Sequence, residues 1–137
     1  MLHNLRFATA LHIMVLAQLE EPEQWLSSEY IASSIQVNAV VVRKEIASLK
    51  AASLLISKEG KGGGIRINNK KEHITLADIY HSTKQNELSG KFNNPNPACI
   101  VGKNINAKLQ VLYQEVDTDI VQRLEKMALA DFSRTFN

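Results

Sequence analysis

Residues 27–67, SSEYIASSIQVNAVVVRKEIASLKAASLLISKEGKGGGIRI, decide how the rest of the chain is read. Ser27 offers the side-chain oxygen an N-cap needs, and Tyr30, Ile31 and Ala32 begin a short helix that ends near Ser34. A tight turn through Ile35, Gln36 and Val37 leads to Asn38, a second strong N-cap, and another helix is predicted from Ala39 to about Ala52. Two helices joined across so short a turn make a helix-turn-helix. LLIS then has the apolar, partly β-branched character of a strand, KEGKGGG is too glycine-rich to be helical, and IRIN alternates as a second strand. The result is a β-hairpin, or wing, directly after the helix pair. The three successive glycines do not make a phosphate loop, because no GK[ST] follows and the chain continues into a strand rather than a helix.

Within the second helix, Val42, Ile46 and Leu49 are four and three residues apart and pack inward. The opposite face carries Val40, Lys44 and Ala47, flanked by Val41 and Arg43. This is the face a helix-turn-helix presents to the major groove of double-stranded DNA, with Asn38 at its start. Small apolar groups meet thymine methyls there, while Arg43 and Lys44 reach guanine edges or phosphates. Lys58, Lys61 and Arg66, with Gly62 at the wing tip, are expected along the flanking phosphates. The charge distribution agrees. The chain carries only +2 overall, yet residues 43–71 hold eight basic side chains (Arg43, Lys44, Lys50, Lys58, Lys61, Arg66, Lys70, Lys71) against Glu45 and Glu59. Such a run is equally compatible with a solvated face, so the inference rests on the helix and wing pattern.

The 137 residues suffice for one compact domain, or for one small domain with a dimerisation element. Leu5, Phe7, Ala8, Leu11, Ile13, Met14, Val15, Leu16 and Leu19 surround nearly the whole circumference of a helix from Asn4 to Leu19, which is therefore buried on more than one side. His12, Thr9 and the following Glu20, Glu21 and Glu23 distinguish it from a secretory signal. No run approaches the ~20 apolar residues of a membrane span. With a single cysteine there is no internal disulfide, and a reducing, cytoplasmic location is expected. His12 reads as a satisfied core or interface histidine, and Trp25, after Pro22, as a packing anchor. Thr75 caps a further short helix with Asp78 three residues on. The stretch from Lys84 to Ala98, with Gly90, Pro95 and Pro97, is a loop ending at Cys99.

Toward the C-terminus, Ile105, Leu109, Leu112, Val116, Ile120, Leu124 and Met127 repeat at helical spacing. One helix from about Asn104 to Asp131 would be ~40 Å long, more than a three-helix domain can cover. The same helix of a second copy is the expected cover, giving a homodimer; the alternative is a helix folded back on its own domain. The predicted fold is mainly α with a small β-hairpin. A winged helix-turn-helix domain occupies 1–84, with the helix-turn-helix at 27–52 and the wing at 54–68. A linker loop with Cys99 spans 85–103, and the dimerisation helix spans 104–137.

These elements resemble the Rrf-two family of bacterial transcription regulators. IASLKAASLLISKEGKGGGIRI followed by ITLADIYHS is similar to the family's wing and the helix after it. RFATALHIMVLAQ resembles its first helix, and PNPACIVGKNI resembles a subgroup with one cysteine before the dimerisation helix. The resemblance implies sequence-specific DNA binding by a homodimer, usually repression, and no enzymatic activity. Ser53 stands where the family usually has glycine, at a cost of ~1 kcal/mol if a left-handed cap is kept. Glu59 replaces a common arginine and Ile65 a common tyrosine, which implies weaker or differently placed phosphate contacts by the wing.

Cluster-binding members carry three cysteines before the long helix. A [2Fe-2S] or [4Fe-4S] cluster takes four protein ligands, and a dimer of this chain offers two thiols, so no iron-sulfur cluster or other metal is expected. Cys99 is read in two ways: as a small buried apolar residue, or as an exposed, low-pKa thiol whose oxidation alters the dimer. A small-molecule effector or an oxidant remains as the input, with no ligand named by the residues. A protein-interaction adaptor is the competing function. Catalysis by Cys99 lacks any His and acid arrangement, and no catalytic residue is assigned.

Overall fold

The computed structural model describes residues 4–84 and 92–137. Its elements are α1 (Leu5–Leu19), α2 (Ser28–Ile35), α3 (Ala39–Ala51), β1 (Leu55–Lys58), β2 (Gly64–Ile67), α4 (Leu76–Thr83), α5 (Ile100–Glu125) and α6 (Leu129–Arg134). Each of the three expected caps forms. Ser27 Oγ accepts from the Tyr30 N–H at 3.1 Å and Asn38 Oδ1 from the Val40 N–H at 2.7 Å. Thr75 and Asp78 close a reciprocal capping box.

The helix-turn-helix is closed by Gln36 in a left-handed conformation, φ 62°, its N–H donating to the Ala32 carbonyl. α3 ends in the same way. Ser53 has φ 62°, its N–H donates to Lys50 O, and the Leu54 N–H reaches back to Leu49 O at 3.0 Å. These paired bonds form a Schellman motif with serine at the position glycine favours, so the left-handed cap is kept in this chain.

β1 and β2 pair antiparallel, Leu55 opposite Ile67 and Lys58 opposite Gly64. Leu26 adds a third short rung, exchanging two backbone hydrogen bonds with Ile65 at 2.8 and 2.9 Å. Gly64 is what lets Leu26 approach: a Cβ there would lie 2.0 Å from the Leu26 carbonyl oxygen. The wing is thereby stitched to the segment that leads into α2.

α1 is the central element, packing on α3, α4, α6 and β2, as its all-round apolar surface requires. Ala10, Ile13 and Met14 are fully buried against Ile31, Val42, Leu49, Leu54, Ile79 and Tyr80. His12 bonds Ser34 Oγ through Nε2 at 3.0 Å, joining α1 to α2.

The C-terminal region differs from the single helix expected over 104–131. α5 starts earlier, at Ile100, so the described part of the expected linker is 92–99; its remainder, 85–91, lies outside the described residues. α5 also stops earlier, at Glu125, and the chain turns before α6. Backbone pairing decides the break. The Leu76 N–H donates to Met127 O and the Leu129 N–H to Ile74 O, both at 2.9 Å, which pins the turn beside the start of α4. Leu129 is then fully buried and α6 lies along α1. Leu124, expected in a dimer interface, is instead 6% exposed within its own domain, and Ile120 packs against the same core. Met127 lies in the turn. The fold-back alternative thus describes the C-terminal end of the stripe. Ile105 and Leu109 are half-buried, and Leu112 and Val116 remain exposed.

Candidate nucleic-acid interface

α3 divides as its spacing requires. Val42 and Leu49 are fully buried and Ile46 nearly so, while Val40, Val41, Arg43, Lys44 and Ala47 are exposed. Two branched apolar side chains thus stand in water at the start of a helix beside two cations, and against a groove both have partners. Asn38 is exposed, with Oδ1 committed to capping, so its first task is to fix where this helix begins.

One residue of α3 was missed by sequence reasoning. Glu45, counted above as a surface charge, is 3% exposed. Arg6 of α1 donates to its Oε1 through Nε at 2.9 Å, and to Ser48 Oγ through Nη2 at 3.3 Å. Glu45 Oε2 has no hydrogen-bond partner. A buried carboxylate is costly unless paired, so the bond makes the placement of α3 on α1 specific rather than merely apolar. The signal was present in the spacing: Glu45 lies three residues after Val42 and four before Leu49, on the inward face.

The wing presents Lys58 and Lys61 to solvent, with Gly62 between them and the descending strand at φ 78°. Arg66, also expected along the flanking phosphates, is held within its own domain by an aromatic ring. Its guanidinium lies 4.3 Å from the centroid of the Trp25 ring, a cation–π contact, and its Nε is buried without a hydrogen-bond partner. It also faces a cleft of about 220 Å³ bordered by Glu20, Glu21 and Glu23. Strand alternation sends Arg66 to the face opposite the buried Ile65, and there Trp25 captures it. Trp25, half-buried, carries Arg66 on its ring.

Cys99 occupies the N-cap of α5 and is exposed on the single chain, whereas the buried apolar reading places it inside. The N–H groups of Gly102 and Val101 face the thiol without making a cap bond and hold its pKa below the ordinary cysteine range. Gly102 is required by the approaching loop, since a Cβ there would lie 2.5 Å from Asn96 O. No group of three or more His, Cys, Asp or Glu side chains among the described residues is arranged to hold a metal ion. No helix among them is long and apolar enough to cross a membrane.

A capped helix-turn-helix, a hairpin stitched beside it and a cationic, apolar-tipped outer face define a winged helix-turn-helix domain of the transcription-regulator class. The chain belongs to the Rrf2 family, described as iron-dependent transcriptional regulators, whose model matches residues 3–135. It is 37% identical over 129 residues to YwnA of Bacillus subtilis (strain 168), named an HTH-type transcriptional regulator, covering 93% of this chain and 94% of that one. A crystal structure described as that of a DNA binding protein matches with 32% identity and a TM-score of 0.71, over 93% of this chain and 97% of the other. The global cysteine regulator CymR of B. subtilis shares the fold, with a TM-score of 0.69 at 19% identity over 96% of this chain and 95% of CymR. Two of these relatives are named regulators and the third a DNA binding protein. The family description names iron; among the described residues no group of three or more His, Cys, Asp or Glu side chains is placed to hold it.

Proposed function

We propose that this chain is a homodimeric, sequence-specific DNA-binding repressor that works without an iron-sulfur cluster and responds to the redox state of Cys99. The observation that carries the DNA-binding part is the outer face of α3, where Val40, Val41, Arg43 and Lys44 stand exposed together. Lys58 and Lys61 extend the cationic surface along the wing, where a flanking phosphate backbone would run.

Dimerisation is supported by the projecting half of α5. Val101, Val111, Leu112 and Val116 are between 40% and 63% exposed, and a second copy of the same helix covers such a stripe at two-fold symmetry. The reading without a cluster is supported by cysteine arithmetic, two thiols per dimer against four ligands that are usually thiolates. Exposure and a lowered pKa favour oxidation or thiolation of Cys99, at the projecting end of α5 beside the stripe proposed to pair with a second copy.

A gel shift on the DNA upstream of the protein's own coding region, run reduced and oxidised with wild type and Cys99→Ser, tests both parts. Binding that weakens steeply with salt supports the DNA reading. Oxidant sensitivity confined to wild type supports the switch. Failure to bind any duplex at low salt favours a protein-interaction adaptor. Equal sensitivity of Cys99→Ser removes the thiol from the control.

A further inference from the structure

α5 changes character at Asp117. After it, Ile120, Val121 and Leu124 pack into the winged domain; before it, Val116, Leu112 and Val111 face solvent. α4 is the helix against which α5 packs, so the angle between the two is set over a short contact.

At that place Asp117 receives two hydrogen bonds from α4 and its end. The Tyr80 hydroxyl donates to Oδ1 and Lys84 Nζ donates to Oδ2, each at 2.5 Å. Tyr80 cannot shift to follow a moving helix. It is 2% exposed, and Phe7 of α1 meets its ring edge-on with centroids 6.0 Å apart. The Asp117 side chain is 28% exposed and that of Lys84 39%, so the clamp lies at the domain's edge, where helix packing alone is weakest. A carboxylate held at both oxygens by donors on one neighbouring element is fixed in position and in rotation.

We propose that the Tyr80–Asp117–Lys84 clamp sets the angle at which α5 leaves the winged domain, and with it the spacing of the two recognition helices on DNA. This rests on the homodimer reading above. From Asp117 to Ile100 runs about 26 Å of helix, so a pivot of about 10° moves the far end by about 4–5 Å, more than the ~3.4 Å rise of one base pair. Viewed from a dimer interface on that far half, the same pivot swings each winged domain across its half-site. Tyr80, Asp117 and Lys84 are positioning residues, acting through α5 and α3 without touching DNA.

The test uses the full chain and duplexes selected from a random pool by the wild-type protein, resynthesised with the half-site separation changed by one base pair either way. The wild type is expected to prefer its own spacing by about ten-fold or more, and Tyr80→Phe and Asp117→Asn to reduce that ratio to about two-fold. Binding to a duplex with a single half-site should stay unchanged in both. Ile13→Val, a core change remote from the clamp, controls for lost stability and should keep the wild-type ratio. Should Asp117→Asn fail to fold, Lys84→Met removes the exposed end of the clamp alone and must show the same flattening. An unchanged ratio in folded, dimeric variants overturns the clamp while leaving the dimer intact. A wild type that sediments as a monomer, alone and on DNA, overturns the homodimer reading and the clamp with it.

Discussion

The two halves of α5 carry one apolar stripe and meet opposite fates. Leu124 is 6% exposed in the core of its own domain, whereas Leu112, on the same stripe, is 50% exposed. Their side chains are identical and the spacing between them is helical throughout. What differs is the surface opposite. The C-terminal half has α4 beneath it and a turn pinned beside residues 74–76, while the N-terminal half projects beyond the winged domain. Amphipathic periodicity therefore announces that a face must be covered and leaves open what covers it.

The contrast breaks most readily at Leu124. Leu124→Ala is expected to lower folding stability by about 2–5 kcal/mol, read from urea unfolding, while Leu112→Ala leaves the unfolding midpoint nearly unchanged. Comparable losses from both would mean that the two halves share one core. The converse substitution is Leu112→Glu, which should weaken dimer association by about 2 kcal/mol or more, roughly thirty-fold, with the fold intact. Sedimentation across a concentration series measures it, and unchanged association would move the interface elsewhere.

A smaller effect is read on the winged domain through DNA. Lys44→Ala should cost about 1–3 kcal/mol of operator affinity at one base position, or weaken all sequences alike if Lys44 meets only phosphate. Arg66→Ala, with its guanidinium held on Trp25, should change the salt slope little, and a slope reduced by about one would restore Arg66 to the phosphates.

The smallest effect lies at the boundary between the halves. Burial opposes the charge of Asp117, but hydrogen bonds from Lys84 and Tyr80 and the charges of Lys84 and His81 outweigh it and hold its carboxyl below the usual range. A depressed carboxyl pKa stabilises the fold above its unfolded value of about 3.9, and that contribution is lost as pH falls through the folded value. Acid unfolding of Asp117→Asn should accordingly be shallower below about pH 4 than that of wild type. Tyr80 has the opposite sign. Burial first, then Asp117, raises its hydroxyl pKa, so its contribution is complete below about pH 10 and fades above it. Tyr80→Phe should flatten that alkaline limb.

Local features were legible in the chain. The caps at Ser27, Asn38 and Thr75, the inward row Val42, Ile46 and Leu49, and the glycine-rich wing each depend on residues within one or two turns of one another. Glu45 was legible by position and was passed over as charge, because its partner Arg6 comes from a different helix. Arg66 could be assigned to a face but not to Trp25, and the break after Glu125 has no glycine or proline to mark it.

The sequence by itself therefore determined the elements from α1 to α4, their caps at Ser27, Asn38 and Thr75 and the winged helix-turn-helix class, since these follow from backbone hydrogen bonding and side-chain periodicity at short range. Tertiary structure alone decided which half of α5 closes its own core, that Cys99 is exposed and that Arg66 lies on an indole. Each of those outcomes depends on which distant surface arrives opposite, and pattern along one helix or strand carries no record of that.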